Sequence, residues 1–100
     1  MELITNNIQC VNYKAFANEN DLSLVITERA LPKTDPARFF ATFKGAEVKE
    51  NGCLTSTFGN GNTPSMAIKN YLKRIALKTI VIGAYTKTRK EIAVPRLKFQ

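Results

Sequence analysis

The strongest constraint on this chain is a punctuated run past its midpoint, Gly59-Asn60-Gly61-Asn62-Thr63-Pro64, followed by apolar residues at helical spacing. Thr63 can accept a hydrogen bond from an unpaired backbone N–H, and Pro64 at the first helical position loses no needed donor. Behind them Ala67, Ile68, Tyr71, Leu72 and Ile75 recur at intervals of three and four, the spacing of one helix face. Lys69, Lys73 and Arg74 take the other side, the last two in the final turn, where cations complement the helix dipole. The pattern predicts one main helix over about 64–76 with a face that must be buried. The glycines before it read as a strand-to-helix turn in left-handed backbone.

Strands are the available cover for that face. Ile8 to Tyr13 has a strand signal, and Leu22 to Thr27 alternates with high β-propensity. Pro32, Asp35 and Pro36 make 30–37 a loop. Arg38 to Lys44 sets Phe39, Ala41 and Phe43 on one face and Phe40, Thr42 and Lys44 on the other. Its partner, Leu54 to Phe58, follows a hairpin turn at Glu50-Asn51-Gly52. After the helix, Thr79 to Tyr85 and Lys90 to Val94 form a closing hairpin about Thr86-Lys87-Thr88, ended by Pro95. The expected fold class is α+β: a single domain over 1–100, with an antiparallel sheet of four to six strands, the helix packed on one face, and a C-terminal hairpin that extends the sheet or mediates self-association.

Composition narrows the chemistry. The sequence has no histidine, which removes the side chain that titrates near neutrality and the commonest metal ligand. Two cysteines, Cys10 and Cys53, are too few for a zinc or iron–sulfur site within one chain, so no metal and no cofactor is expected. The carboxylates at 19, 21, 28, 35, 47 and 50 are dispersed, with no pair evident for acid and base work, and Cys53 lacks a histidine base. A non-enzymatic protein is the expectation. Sequence alone leaves a Cys10–Cys53 disulfide open. Met1 to Ile4 lead into polar Thr5-Asn6-Asn7 rather than an apolar signal segment, which makes a reduced pair and a cytoplasmic location the expectation. The longest apolar run, Ile80 to Ala84, is five residues, far short of the roughly 18–20 that span a bilayer, so no membrane partner is expected.

The formal charge of +7 is uneven. Residues 1–50 carry six basic and seven acidic side chains, whereas 51–100 carry nine basic and one acidic, Glu91. Phosphate neutralisation is the natural use of such a cluster, with Tyr71 or Tyr85 as stacking partners. The competing view makes Tyr71 core and the lysines a solvated face. The residues expected to contact nucleic acid are Lys69, Lys73, Arg74, Lys87, Arg89 and Lys90.

The Gly-x-Gly-x-Thr run lacks the Lys and Ser or Thr of a P-loop and the third Gly of a dinucleotide fingerprint. Over about 38–76 it resembles the last strand-to-helix passage of double-stranded-RNA-binding domains, where Gly-x-Gly-x-Ser precedes a helix with Ala at the offset of Ala67. That family grips phosphates with a Lys-Lys-x-Ala-Lys cluster at the helix start. Pro64-Ser65-Met66-Ala67-Ile68 stand here instead, so the resemblance implies the fold rather than that contact. The turn is also similar to the Gly-x-Thr-x-x-Glu-Ala of HicB-type antitoxins, with Met66 in place of Glu. Lys78-Thr79-Ile80-Val81 and Glu91-Ile92-x-Val94-Pro95 complete a pattern like that of small phage or prophage proteins. No activity follows from the phage likeness; with the basic second half, the expectation is a non-enzymatic accessory protein of phage type that acts by binding, with nucleic acid as the first partner, or, alternatively, a protein-interaction or self-assembly module that pairs strand edges.

Overall fold

The computed structural model describes residues 10–99; the polar opening of the chain and residues 8 and 9 of the expected first strand lie outside them. The fold is α+β, with elements β1 (Cys10–Asn12), α1 (Tyr13–Glu19), β2 (Leu24–Glu28), β3 (Phe39–Phe43), β4 (Ala46–Glu50), β5 (Cys53–Thr55), β6 (Gly59–Gly61), α2 (Pro64–Ile75), β7 (Thr79–Ile82), β8 (Lys90–Ala93) and β9 (Arg96–Lys98). The strands form not one sheet but two antiparallel sheets, β2-β3-β6 and β5-β4-β7-β8, and a parallel pair, β1 with β9.

The division of the expected single sheet originates in one kinked hairpin. Its turn lies at Asn51-Gly52, as the sequence indicates, with Glu50 facing Cys53 and Val48 facing Thr55. Further from the turn Ala41 faces Gly59, so seven steps on the first strand are matched by four on the second. The surplus is absorbed around Lys44-Gly45, where Gly45 has φ +73°. Past this kink the two halves part: β3 pairs with β2 and β6, and β4 pairs with β5 and β7. The expected partner of Arg38–Lys44, residues 54–58, is therefore replaced by Gly59–Gly61 on one side, with Leu24–Glu28 on the other.

Those glycines correct a second expectation. They form β6, and the glycines with left-handed backbone are Gly45, Gly52 and Gly83. Gly59 and Gly61 are small for a different reason. A Cβ on Gly59 would lie 2.5 Å from the carbonyl oxygen of Ala67 and 2.6 Å from Cα of Tyr71; one on Gly61 would lie 2.6 Å from Cβ of Met66. Helix α2 rests directly on the backbone of β6, and only hydrogen at those two positions lets it.

Helix α2 matches its sequence signature. Thr63 Oγ1 accepts from the Met66 N–H at 3.2 Å, Pro64 opens the helix, and Ala67, Ile68, Tyr71, Leu72 and Ile75 are buried. Tyr71 meets Phe43 edge-on at 5.6 Å between centroids, and its hydroxyl accepts the Phe43 backbone N–H at 3.0 Å. Ile80 and Val94 continue this core into the second sheet. Where the sequence suggests a strand reaching Tyr13, the chain turns into α1: Asn12 Oδ1 accepts from the Lys14 and Ala15 N–H groups, and Tyr13, Phe16 and Ala17 are buried at helical spacing. The closing hairpin is present, with Thr79 facing Ala93, but its first strand ends at Ile82 and residues 83–89 connect it. Pro95 ends β8, and three further residues, Arg96–Lys98, pair with β1.

Candidate nucleic-acid interface

Because the stripe from Ala67 to Ile75 is buried, the opposite side of α2 is free to present polar groups. Met66, Asn70, Lys73 and Arg74 stand there at offsets of four, seven and eight, which places them along one flank of the helix. With Pro36, Asn60, Gly61 and Asn62 they wall an open groove of about 650 Å³. The groove is fixed by two side-chain bonds to β6. Asn70 Nδ2 donates to the Asn60 carbonyl at 2.6 Å, and Arg29 Nη1 donates to Asn60 Oδ1 at 2.8 Å.

The lining has a clear chemical character. It offers two cations and amide groups and contains no carboxylate. Among the described residues neither Lys73 nor Arg74 takes part in an ion pair. Both stand as cations in the last turn of α2, a role that uses their charge. Lys69 stands one turn before Lys73 and lies over the Phe99 ring at 5.4 Å from its centroid. Lys69 and Lys73 together border a smaller cavity of about 160 Å³ with Leu72, Leu97 and Phe99.

The other three expected contact residues are elsewhere, on the β7–β8 hairpin, and none lines the groove. Lys87 is exposed in the connecting loop. Arg89 Nη2 donates to Glu91 at 2.9 Å, and Lys90 Nζ donates to the Asn20 carbonyl at 2.9 Å, so both have local partners. Hydrogen bonds from Arg89 and then Lys49 hold the Glu91 carboxyl below its ordinary value. Glu50 pairs with Lys78 and Glu28 with Arg38. Of these, the Glu50–Lys78 pair sets an acid of the first half against a base of the second across space.

Tyr71 is core, and its pKa is pushed up by burial, against the opposing hydrogen bonds from Thr42 and Phe43. Tyr85, by contrast, is 87% exposed. Cys10 and Cys53 are both exposed free thiols. Among the described residues no three His, Cys, Asp or Glu gather as a metal site, and no helix is long and apolar enough to cross a membrane.

A second cluster was hidden from single-strand reasoning. On the face of β2-β3-β6 away from α2, Phe40 and Phe58 lie 5.5 Å apart, and the Arg29 guanidinium sits 4.3 Å over Phe40 and 5.7 Å from Phe58. Alternation assigns Phe40 to that face, but only the β3–β6 register brings it to Phe58. Comparison with protein-family models, with curated proteins and with solved structures returns no match to this chain.

Proposed function

We propose that this is a non-enzymatic accessory protein of the small phage or prophage type that binds nucleic acid, with the α2 groove as its phosphate contact. The observation that carries the reading is the placement of Lys73 and Arg74 on the wall of a carboxylate-free, amide-lined groove, with no ion pair to either among the described residues. Cations so placed gain by replacing condensed counterions on a polyanion, and the amides of Asn62 and Asn70 add neutral hydrogen bonds to phosphate or sugar oxygens. Lys69 extends the positive flank by one turn, and Lys87 supplies a further exposed cation on the hairpin. The strand-to-helix passage from β3 through β6 to α2 supports a core like that of double-stranded-RNA-binding domains, with the phosphate contact moved from the start of the helix to its last turn.

The test is titration of duplex and single-stranded DNA and RNA by fluorescence anisotropy over a salt series. Binding should weaken steeply with salt, and the Lys73→Glu/Arg74→Glu double variant should flatten the dependence. Absence of binding to every polyanion at low salt refutes the reading.

A second reading rests on β2. It is an edge strand whose outer side has no partner among the described residues, and Val25 and Ile26, on its two faces, are 39% and 41% exposed. Such an edge accepts another strand by backbone pairing. Sedimentation showing concentration-dependent dimerisation, abolished by Ile26→Lys, would favour it.

A further inference from the structure

Beside the Arg29–Phe40–Phe58 cluster the kinked hairpin leaves a second concavity, an open groove of about 440 Å³. Phe58 and Tyr85 both line it, Thr42 and Ala46 contribute to it, and Glu47 is its single ionisable group besides Tyr85. Its size lies in the range of small-molecule sites. The kink creates it, because the two halves of the hairpin diverge at Gly45 and the loop after β7 closes the far side, with the Gly83 N–H donating to the Gly45 carbonyl at 3.4 Å.

The adjoining sheet face is apolar and cationic together. Phe58 is 37% exposed and Phe40 is half-buried, and the guanidinium of Arg29 lies over the Phe40 ring beside Phe58. Arg29 is held in that position by donation to the Ala37 carbonyl at 2.5 Å and to Asn60 Oδ1. An apolar peptide would use the rings and gain nothing from a fixed guanidinium. A strand of unpaired nucleotides uses both: bases stack on aromatic and guanidinium planes, and the phosphates between them meet the positive charge. Glu47 in the groove can accept from the exocyclic amine of a base.

We infer that the Phe58–Tyr85 groove and the Arg29–Phe40 surface beside it take unpaired nucleobases, so that the ligand is single-stranded nucleic acid. The inference rests on the nucleic-acid reading above and adds to it the strandedness and the surface that reads it. A duplex keeps its bases in the stack and offers this surface only phosphate, so discrimination between the two forms is its direct consequence.

The experiment compares a mixed-sequence single-stranded oligonucleotide with the same sequence as a duplex, by anisotropy, using wild type, Tyr85→Ala, Phe58→Leu and Lys73→Glu/Arg74→Glu. Tyr85 is so exposed that its truncation leaves the core intact, and Phe58→Leu keeps apolar volume while removing the ring. Wild type should bind the single strand more tightly than the duplex. Tyr85→Ala and Phe58→Leu should each weaken single-strand binding about tenfold, with the salt slope and duplex binding unchanged. Duplex binding equal to or tighter than single-strand binding overturns the inference, as does unchanged affinity in both ring variants. In those cases the nucleic-acid reading survives, because the salt dependence and its loss in the charge variant stand apart. Binding to no polyanion, with self-association that Tyr85→Ala abolishes, overturns both and makes the surface a contact between copies of the chain.

Discussion

Replacing Gly59 by Ala tests why the two glycines of β6 are there. If they were turn residues in left-handed backbone, the change would cost about 1–2 kcal/mol of local strain. The structure demands more. The new methyl would overlap the backbone nitrogen of Tyr71, with the Ala67 carbonyl oxygen 2.5 Å and the Tyr71 Cα 2.6 Å away, and none of the atoms met is the end of a flexible side chain. Restoring ordinary contact near 3.5 Å requires α2 to lift by about 1 Å. Ala67 and Tyr71 are 0% and 1% exposed, so that lift loosens packing for about 1–3 kcal/mol. It also stretches the 3.0 Å bond from the Phe43 N–H to Tyr71, and an orphaned buried donor costs about 1–3 kcal/mol more. The expected loss is about 2–6 kcal/mol, a large share of the stability of a domain this size, and lowers Tm by about 10–40 °C. Gly45→Ala is the control: a Cβ there meets nothing within 4 Å, so only the φ of +73° opposes it, at about 1–2 kcal/mol. Thermal and urea unfolding followed by circular dichroism measures both. Equal costs for the two variants, or a Gly59→Ala protein within about 1 kcal/mol of wild type, would refute the close-approach account.

Tyr71→Phe should destabilise by about 1–3 kcal/mol in urea unfolding, because it removes the acceptor of the Phe43 N–H and keeps the ring. Since burial raises the Tyr71 pKa, its neutral form is the folded form; its contribution is complete below the ordinary value of 10.0 and is lost as pH rises through the higher folded value, a loss that Tyr71→Phe should lack. Glu91 has the opposite sign: its folded pKa is depressed, so its contribution holds above the unfolded-state value and fades as pH falls through the folded one. Glu91→Gln should remove that acid-side dependence, seen as a converging stability difference from wild type on acidification. Cys10 and Cys53 should both react with a thiol reagent in the native protein, and reductant should leave Tm unchanged.

What could be seen in the sequence follows from how local each cause is. Helix α2 is carried by its own cap, its own proline and a five-residue stripe, all within thirteen positions, and the Asn51-Gly52 turn is equally local. Helix α1 spans seven residues, too short for periodicity to separate from a strand when Val11 and Tyr13 suit either, and its clearest mark was Asn12 at the cap. The split into two sheets depends on a register slip at Gly45 that alternation in single strands does not record. A glycine letter likewise does not say whether it serves a turn or a close approach. The basic run met the same limit. Its members are adjacent in sequence, yet they divide among a groove, ion pairs such as Lys78 with Glu50, and the Lys90 contact to Asn20. The Phe40–Phe58 contact joins a residue of β3 to the one just before β6, and only the β3–β6 pairing reveals it.

The salt dependence of nucleic-acid binding, measured for wild type and Lys73→Glu/Arg74→Glu in parallel, tests the central claim most directly. If both cations neutralise phosphate, a plot of log K against log salt slopes steeply downward for wild type, and the double variant loses about two units of that slope. Identical slopes in the two proteins, or no binding at about 50 mM salt, would show that the α2 groove is not the phosphate contact.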